Sequence, residues 1–165
     1  VRDPGRVVSN VGGWQSNPIT MDDDVISDLS GIKEVFNLTV EFIDYFLKHA
    51  TRSLCVKELS GWLSENPPGS YNNTHKHGCT DIVAVYYANL PYQSKSVSLM
   101  RTDAYTQTNL HCNLKTDRGN YEFISAVTGT LCIFPGHLYH WVPPNESNVN
   151  RRSVSMNIRC GHRQN

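Results

Sequence analysis

The sequence predicts a mainly β fold, a jelly roll (double-stranded β-helix) with one or two supporting helices. Three observations predict it. One amphipathic helical pattern lies near the N-terminus, a series of short runs rich in Val, Ile, Tyr, Thr and Ser follows residue 52, and turn residues break that series at close intervals. One helix beside many strands leaves sheet-on-sheet packing as the means of burying a core. The 165 residues suffice for one such core, and the expected organisation is a single domain over 1–165, with an irregular arm (1–28), a supporting helix (29–50) and a jelly-roll core (53–160).

The elements follow in order. The first 28 residues are rich in Gly, Asp and Asn and read as an arm wrapping the core through Val7, Val8, Trp14 and Ile19. In the helix, Ile32, Val35, Phe36, Val40, Ile43, Phe46, Leu47 and Ala50 form one apolar stripe opposite Lys33, Glu34, Asn37, Glu41, Asp44 and Lys48. Ile43 and Phe46 are expected in the core. Strands are predicted at 54–59, 61–66, 71–77, 81–89, 96–101, 121–125, 129–134, 139–142 and 151–158, punctuated by turns such as Asn66-Pro67-Pro68-Gly69, Pro135-Gly136 and Pro143-Pro144-Asn145.

Composition excludes several classes. Hydrophobic residues at 39% and charged residues at 18% suit a folded globular chain rather than a disordered one. Fifteen basic and fifteen acidic residues give no bulk electrostatic pull toward nucleic acid or an anionic membrane. No apolar run approaches a membrane span, and no charged-then-apolar leader opens the chain. Cys55, Cys79, Cys112, Cys132 and Cys160 are odd in number and include no CxxC pair, which suits reduced thiols in a cytoplasm. The N-x-S/T triplets at Asn37, Asn72 and Asn145 carry no weight in Asn- and Ser-rich loops.

Two segments hold the chemistry. Gly69 to His77 reads G-S-Y-N-N-T-H-K-H; on a strand, His75 and His77 would project from one face and could occupy two adjacent positions around a metal. Alone, an HxH pair is as well read as a surface accident. Gly129 to Asn145 reads as an apolar strand, a Pro-Gly turn and a second strand carrying His140, which can return that histidine to a position opposite the pair. His137 sits in the turn and is expected to be exposed.

The spacings G-x5-H-x-H and G-x5-P, the latter followed by His140, resemble the motif pair of the cupin superfamily. Pro67-Pro68-Gly69 before His75-Lys76-His77, Val85-Tyr86-Tyr87, Phe134-Pro135 before His140, and Arg151-Arg152-Ser153-Val154-Ser155-Met156-Asn157 resemble more narrowly the 2-oxoglutarate- and Fe(II)-dependent oxygenases. The nearest likeness is to a small branch in bacteria and their phages, close to the prolyl hydroxylases, to which the segment Ser9–Ser16 is also similar. The resemblance implies Fe(II) held by His75, His77 and His140, and 2-oxoglutarate bound through its distal carboxylate by Arg151 and Ser153 with a hydrogen bond from Tyr87. It implies O2 as co-reactant, hydroxylation of a protein prolyl residue or a small metabolite with release of succinate and CO2, and the cytoplasm of a bacterial or phage-infected cell. A buried carboxylate does need a paired cation, and Arg151, Ser153, Ser155 and Asn157 alternate on one strand face. That row is equally read as the solvent side of a strand whose Val154, Met156 and Ile158 face the core. Arg152, on the opposite parity, is then structural or exposed.

The common pattern of these oxygenases is HxD...H, whereas this chain has His77 at the middle position. Asp81 could supply a carboxylate if its strand bulges, but reads better as a turn residue. A cupin-type three-histidine metalloenzyme without 2-oxoglutarate and a non-catalytic β-sandwich binding module are the alternatives. Trp141 and the 103–120 loop are expected at a substrate entrance.

Overall fold

The computed structural model describes residues 3–23, 29–50, 53–100 and 121–163. In chain order the elements are β1 (Asn10–Val11), β2 (Trp14–Gln15), β3 (Ile19–Thr20), α1 (Ser30–Ala50), β4 (Leu54–Asn66), β5 (Tyr71–His75), β6 (Ile82–Asn89), β7 (Ser98–Met100), β8 (Tyr121–Phe123), β9 (Leu131–Pro135), β10 (His140–Val142) and β11 (Arg151–His162). They form two antiparallel sheets, one ordered β1-β5-β10-β7-β8 and the other β2-β4-β11-β6-β9, with β3 added to β4. Apart from the paired neighbours β3–β4 and β7–β8, the strands from β4 onward alternate between the sheets, as in a jelly roll.

The helix covers the outside of the second sheet. Phe36, Ile43 and Leu47 are buried with Val154, Met156 and Ile158 of β11 and Leu59 of β4. Lys48 and His49 in the last turn complement the negative end of the helix dipole. The stripe is narrower than the sequence reading: Phe46 is 58% exposed, and Ala50 is exposed as well. At about 100° per residue, Phe46 falls roughly 80° round from Phe36, on the flank of the buried face. Among the described residues α1 is the one long helix, and none is long and apolar enough to cross a membrane.

Strands 54–59 and 61–66 are one strand, β4, paired along its length with β11. Gly61 does not break it; it makes room. A Cβ there would stand 2.7 Å from Phe36 Cζ and 2.8 Å from the Ser155 carbonyl, so the glycine lets the helix lie close on the sheet. The arm is not irregular throughout, since it supplies β1, β2 and β3. Val7 and Val8 do not wrap the core but point to solvent, Trp14 is half-buried, and Ile19 alone of the four is buried. A second apolar cluster, with Val83, Val85, Tyr87, Val97, Cys132 and Phe134, fills the space between the sheets. The four described cysteines are free thiols; Cys112 lies outside the described residues.

Candidate metal centre

His75 closes β5 and His140 opens β10, and the two are direct cross-strand partners. The ladder between them is irregular: His140 faces His75 while Val142 faces Asn72, so β5 advances one residue more than β10. This bulge turns His75 to the same side as Asn72, and both line the cavity between the sheets. An unbroken strand of period two would have put them on opposite faces.

His77 arrives differently. The strand predicted over 71–77 stops at His75, so alternation does not place His77. Its backbone N–H donates to the Gly136 carbonyl at 3.0 Å, and the Gly136 N–H donates to the Asp81 carbonyl at 2.9 Å. Gly136 is irreplaceable here, because a Cβ would sit 2.2 Å from the Thr80 carbonyl oxygen. The Pro-Gly turn that returns the chain toward His140 thus also anchors the segment bearing His77.

The three rings meet, with centroids 4.2 Å apart for His75 and His140, 5.0 Å for His77 and His140, and 5.2 Å for His75 and His77. One ring nitrogen of each lies within 4.8 Å of the others. Every Nδ1 already has an oxygen partner: the Asn73 carbonyl for His75 (2.7 Å), the Leu138 carbonyl for His140 (2.9 Å) and Asn157 Oδ1 for His77 (2.5 Å). A neutral imidazole donating from Nδ1 keeps its lone pair on Nε2, so three such pairs are available to one cation. Burial lowers the pKa of all three, that of His140 to about 4, with mutual repulsion adding to the effect on His77 and His140. Neutral nitrogen donors without a thiolate suit Fe(II) and similar first-row ions.

Among the described residues no carboxylate joins the three. The Asp81 carboxylate accepts the Cys160 N–H at 2.8 Å, which ties it to β11 in a structural role. His137 is exposed, as is Arg152, whose side chain lies 3.6 Å from Glu65.

The same cavity holds Arg151, Ser153 and Tyr87 at its other end. Arg151 is 1% exposed, and its Nη1 donates to Ser94 Oγ, the Lys95 carbonyl and the Pro143 carbonyl at 3.0–3.1 Å. Its Nη2 has no partner, and among the described residues no carboxylate pairs with it. Desolvation lowers its pKa to about 10, which still leaves it cationic at neutral pH. Tyr87 Oη accepts the Val97 N–H at 2.7 Å, so the phenolic proton is free to be donated, and burial pushes its pKa upward.

A family described as "Putative 2OG-Fe(II) oxygenase" matches residues 60–157, more than half of the chain, from the middle of β4 to Asn157 in β11. The chain belongs to the 2OG-Fe(II) oxygenase family. Membership implies Fe(II), 2-oxoglutarate and O2. No curated protein matches the oxygenase. A prolyl-4-hydroxylase of Pseudomonas putida shares its fold at 16% identity and a TM-score of 0.56, over 90% of this chain and 72% of that one. Matches at lower similarity include a 2OG-Fe(II) oxygenase family protein of Burkholderia pseudomallei (11% identity, TM-score 0.49, 70% of this chain and 50% of that one) and a cupin domain of Bordetella pertussis (15%, 0.38, 65% and 82%).

The site of the oxygenase contains residues that the motifs did not single out. Asn157 stands in the polar row of β11, but its contact is with His77, in the segment just beyond β5. Trp62 stacks on His77 with centroids 5.9 Å apart. Its alternation with Ser64 and Asn66, which also line the cavity, lies wholly within the predicted strand 61–66 and is a usable signal. Gln15 enters the cavity from the arm. Trp141 does not: it lies between His140 and Val142, which line the cavity, and so takes the opposite parity. The 103–120 loop lies outside the described residues.

Proposed function

We propose that this protein is a dioxygenase in which His75, His77 and His140 hold Fe(II) while Arg151, Ser153 and Tyr87 hold 2-oxoglutarate. Its oxidation to succinate and CO2 would accompany hydroxylation of a substrate C–H bond. The observation that carries this reading is the unpartnered Nη2 of Arg151, buried in the cavity on which three neutral imidazoles converge. A buried guanidinium without a counter-ion is costly, and a ligand carboxylate removes the cost with charge-assisted hydrogen bonds.

Together, iron and 2-oxoglutarate supply the activation of O2 that no amino-acid side chain provides. The chain's own residues prepare that step. The Nδ1 contacts hold each imidazole in the tautomer that ligates through Nε2. Three contacts on Nη1 of Arg151 fix the guanidinium plane so that Nη2 is presented to the cosubstrate. Tyr87 stays protonated and can donate its hydroxyl hydrogen, and Ser153, its cross-strand partner, lies beside it. Val83, Val85 and Val97 give the cavity an apolar wall, which would limit the access of water to the reacting groups. Its free space is about 40 Å³, room for a few waters, so a dicarboxylate must displace side chains on entry. Residues 1–165 act as one oxygenase domain in this reading, with the arm and the helix closing the same sandwich.

Succinate formation from 2-oxoglutarate, with and without Fe(II), is the test. Anaerobic Fe(II) protein should develop a visible metal-to-ligand absorption band when 2-oxoglutarate is added. The absence of both would overturn the proposal. One observation favours a second reading, a three-histidine metalloenzyme without 2-oxoglutarate: among the described residues the ligand cluster contains no carboxylate. In that case iron binds but the absorption band does not appear.

A further inference from the structure

The segment from Gly5 to Ser16 is a strap across the mouth of the sandwich. β1 pairs with β5 in one sheet and β2 with β4 in the other. Asn10 ties the turn between them, donating to the Arg6 and Gly13 carbonyls and accepting the Val8 N–H. Binding of 2-oxoglutarate at Arg151 makes no use of this strap.

What the strap builds is an outer recess of about 200 Å³ that shares Gln15, Trp62, His75 and His77 with the inner cavity. The histidine pair is therefore a common wall between two compartments. Arg6 covers Trp62, its guanidinium carbon 4.9 Å from the ring centroid. Lys76 lines the recess as well, and no carboxylate does. Among the described residues neither cation has an ion-pair partner. Three buried polar atoms here lack a hydrogen-bond partner: Arg6 Nε, Trp62 Nε1 and Gln15 Oε1, the last on a side chain only 4% exposed. Such orphans are rare in folded proteins, and a cluster of them beside a metal centre points to partners brought by a ligand.

Two N–H donors, two positive charges and one acceptor define the complement. It is a carboxylate with a hydroxyl or amino donor close by. We propose that the outer recess receives the primary substrate and that this substrate is a small α-hydroxy or α-amino carboxylate. Its carboxylate would meet Arg6 and Trp62, and its adjacent donor would meet Gln15. A residue inside a polypeptide lacks the free carboxylate and is excluded. The role as substrate rests on the oxygenase reading; binding of this class of anion does not.

The test follows the indole N–H resonance of Trp62, assigned with Trp62→Phe, in the full-length 15N-labelled protein. Zn(II) and excess 2-oxoglutarate are present so that the inner cavity is occupied. L-Lactate is the probe and L-lactamide its neutral control. Lactate should give a saturable shift, with affinity roughly tenfold weaker for lactamide and for Arg6→Gln, since each loses a charge-assisted contact. Lys76→Gln, at an exposed position, should weaken binding less. No saturable response, an equal response to lactamide, or an Arg6→Gln protein that binds lactate normally would overturn the proposal. If lactate binds as expected but no succinate forms in the turnover assay, the oxygenase reading fails and the anion site stands.

Discussion

One face of β11 is buried and the other, apart from the buried Arg151, is half-buried, and the two are made of opposite chemistry. Val154, Met156 and Ile158 face α1 and are 0–2% exposed. Arg151, Ser153 and Ser155 face the cavity between the sheets, and Asn157 reaches His77. Apolar burial stabilises a fold without further explanation, whereas a buried polar row needs partners, and where the protein does not supply them a ligand must. The difference separates what holds this molecule together from what it is for.

The sharpest break of that comparison is on the polar side. His140→Ala should abolish stoichiometric Fe(II) binding and all turnover while leaving the far-UV circular dichroism unchanged; metal content after desalting checks the first point. On the apolar side, Met156→Ala should cost about 2–5 kcal/mol of stability by opening a cavity under the helix, without altering iron affinity in the protein that remains folded. Denaturant titration beside metal content separates the two effects. Arg151→Met should raise the 2-oxoglutarate requirement by about 10–100-fold, the loss of charge-assisted hydrogen bonds, with iron still bound. An unchanged requirement would remove Arg151 from the cosubstrate site. Asn157→Leu should weaken metal binding by about 10–100-fold, because His77 loses the acceptor that holds its tautomer.

The polar side should also show in the pH dependence of stability. In the metal-free protein His140 binds its proton with a folded pKa of about 4 against 6.5 for the free side chain. Between those values the unfolded chain holds more protons than the folded one, so stability should fall as pH drops from about 6.5 toward 4. His140→Gln should flatten that slope.

Much of the site was legible in the residue order. The glycine, histidine and proline spacings around residues 69–77 and 129–140, with Arg151 and Ser153 downstream, named three histidines whose ring nitrogens the fold brings within 4.8 Å of one another. Alternation along residues 151–158 separates two faces but leaves even whether the polar one lies inside the barrel or toward solvent, since a polar row looks the same whether water or a ligand lies beyond it. His77 meets His75 by a geometry other than the alternation expected along one strand: the strand ends first, and a bulge aims His75 inward.

The arm shows the limit most clearly. Its Gly, Asp and Asn content marked it as irregular, yet Arg6 and Gln15 come to stand against Trp62 of β4 because two short strands pair with different sheets. Residue order determined the local patterns here: which segment coils into a helix, which extend as strands, and which side chains carry imidazole or guanidinium. Each of those depends on spacing of a few residues. The meeting of positions 6, 62, 77 and 157, and the absence of a counter-ion at 151, depend on strand register and sheet pairing between segments up to about a hundred residues apart. Those are decided by packing the whole chain at once, and no local pattern encodes them.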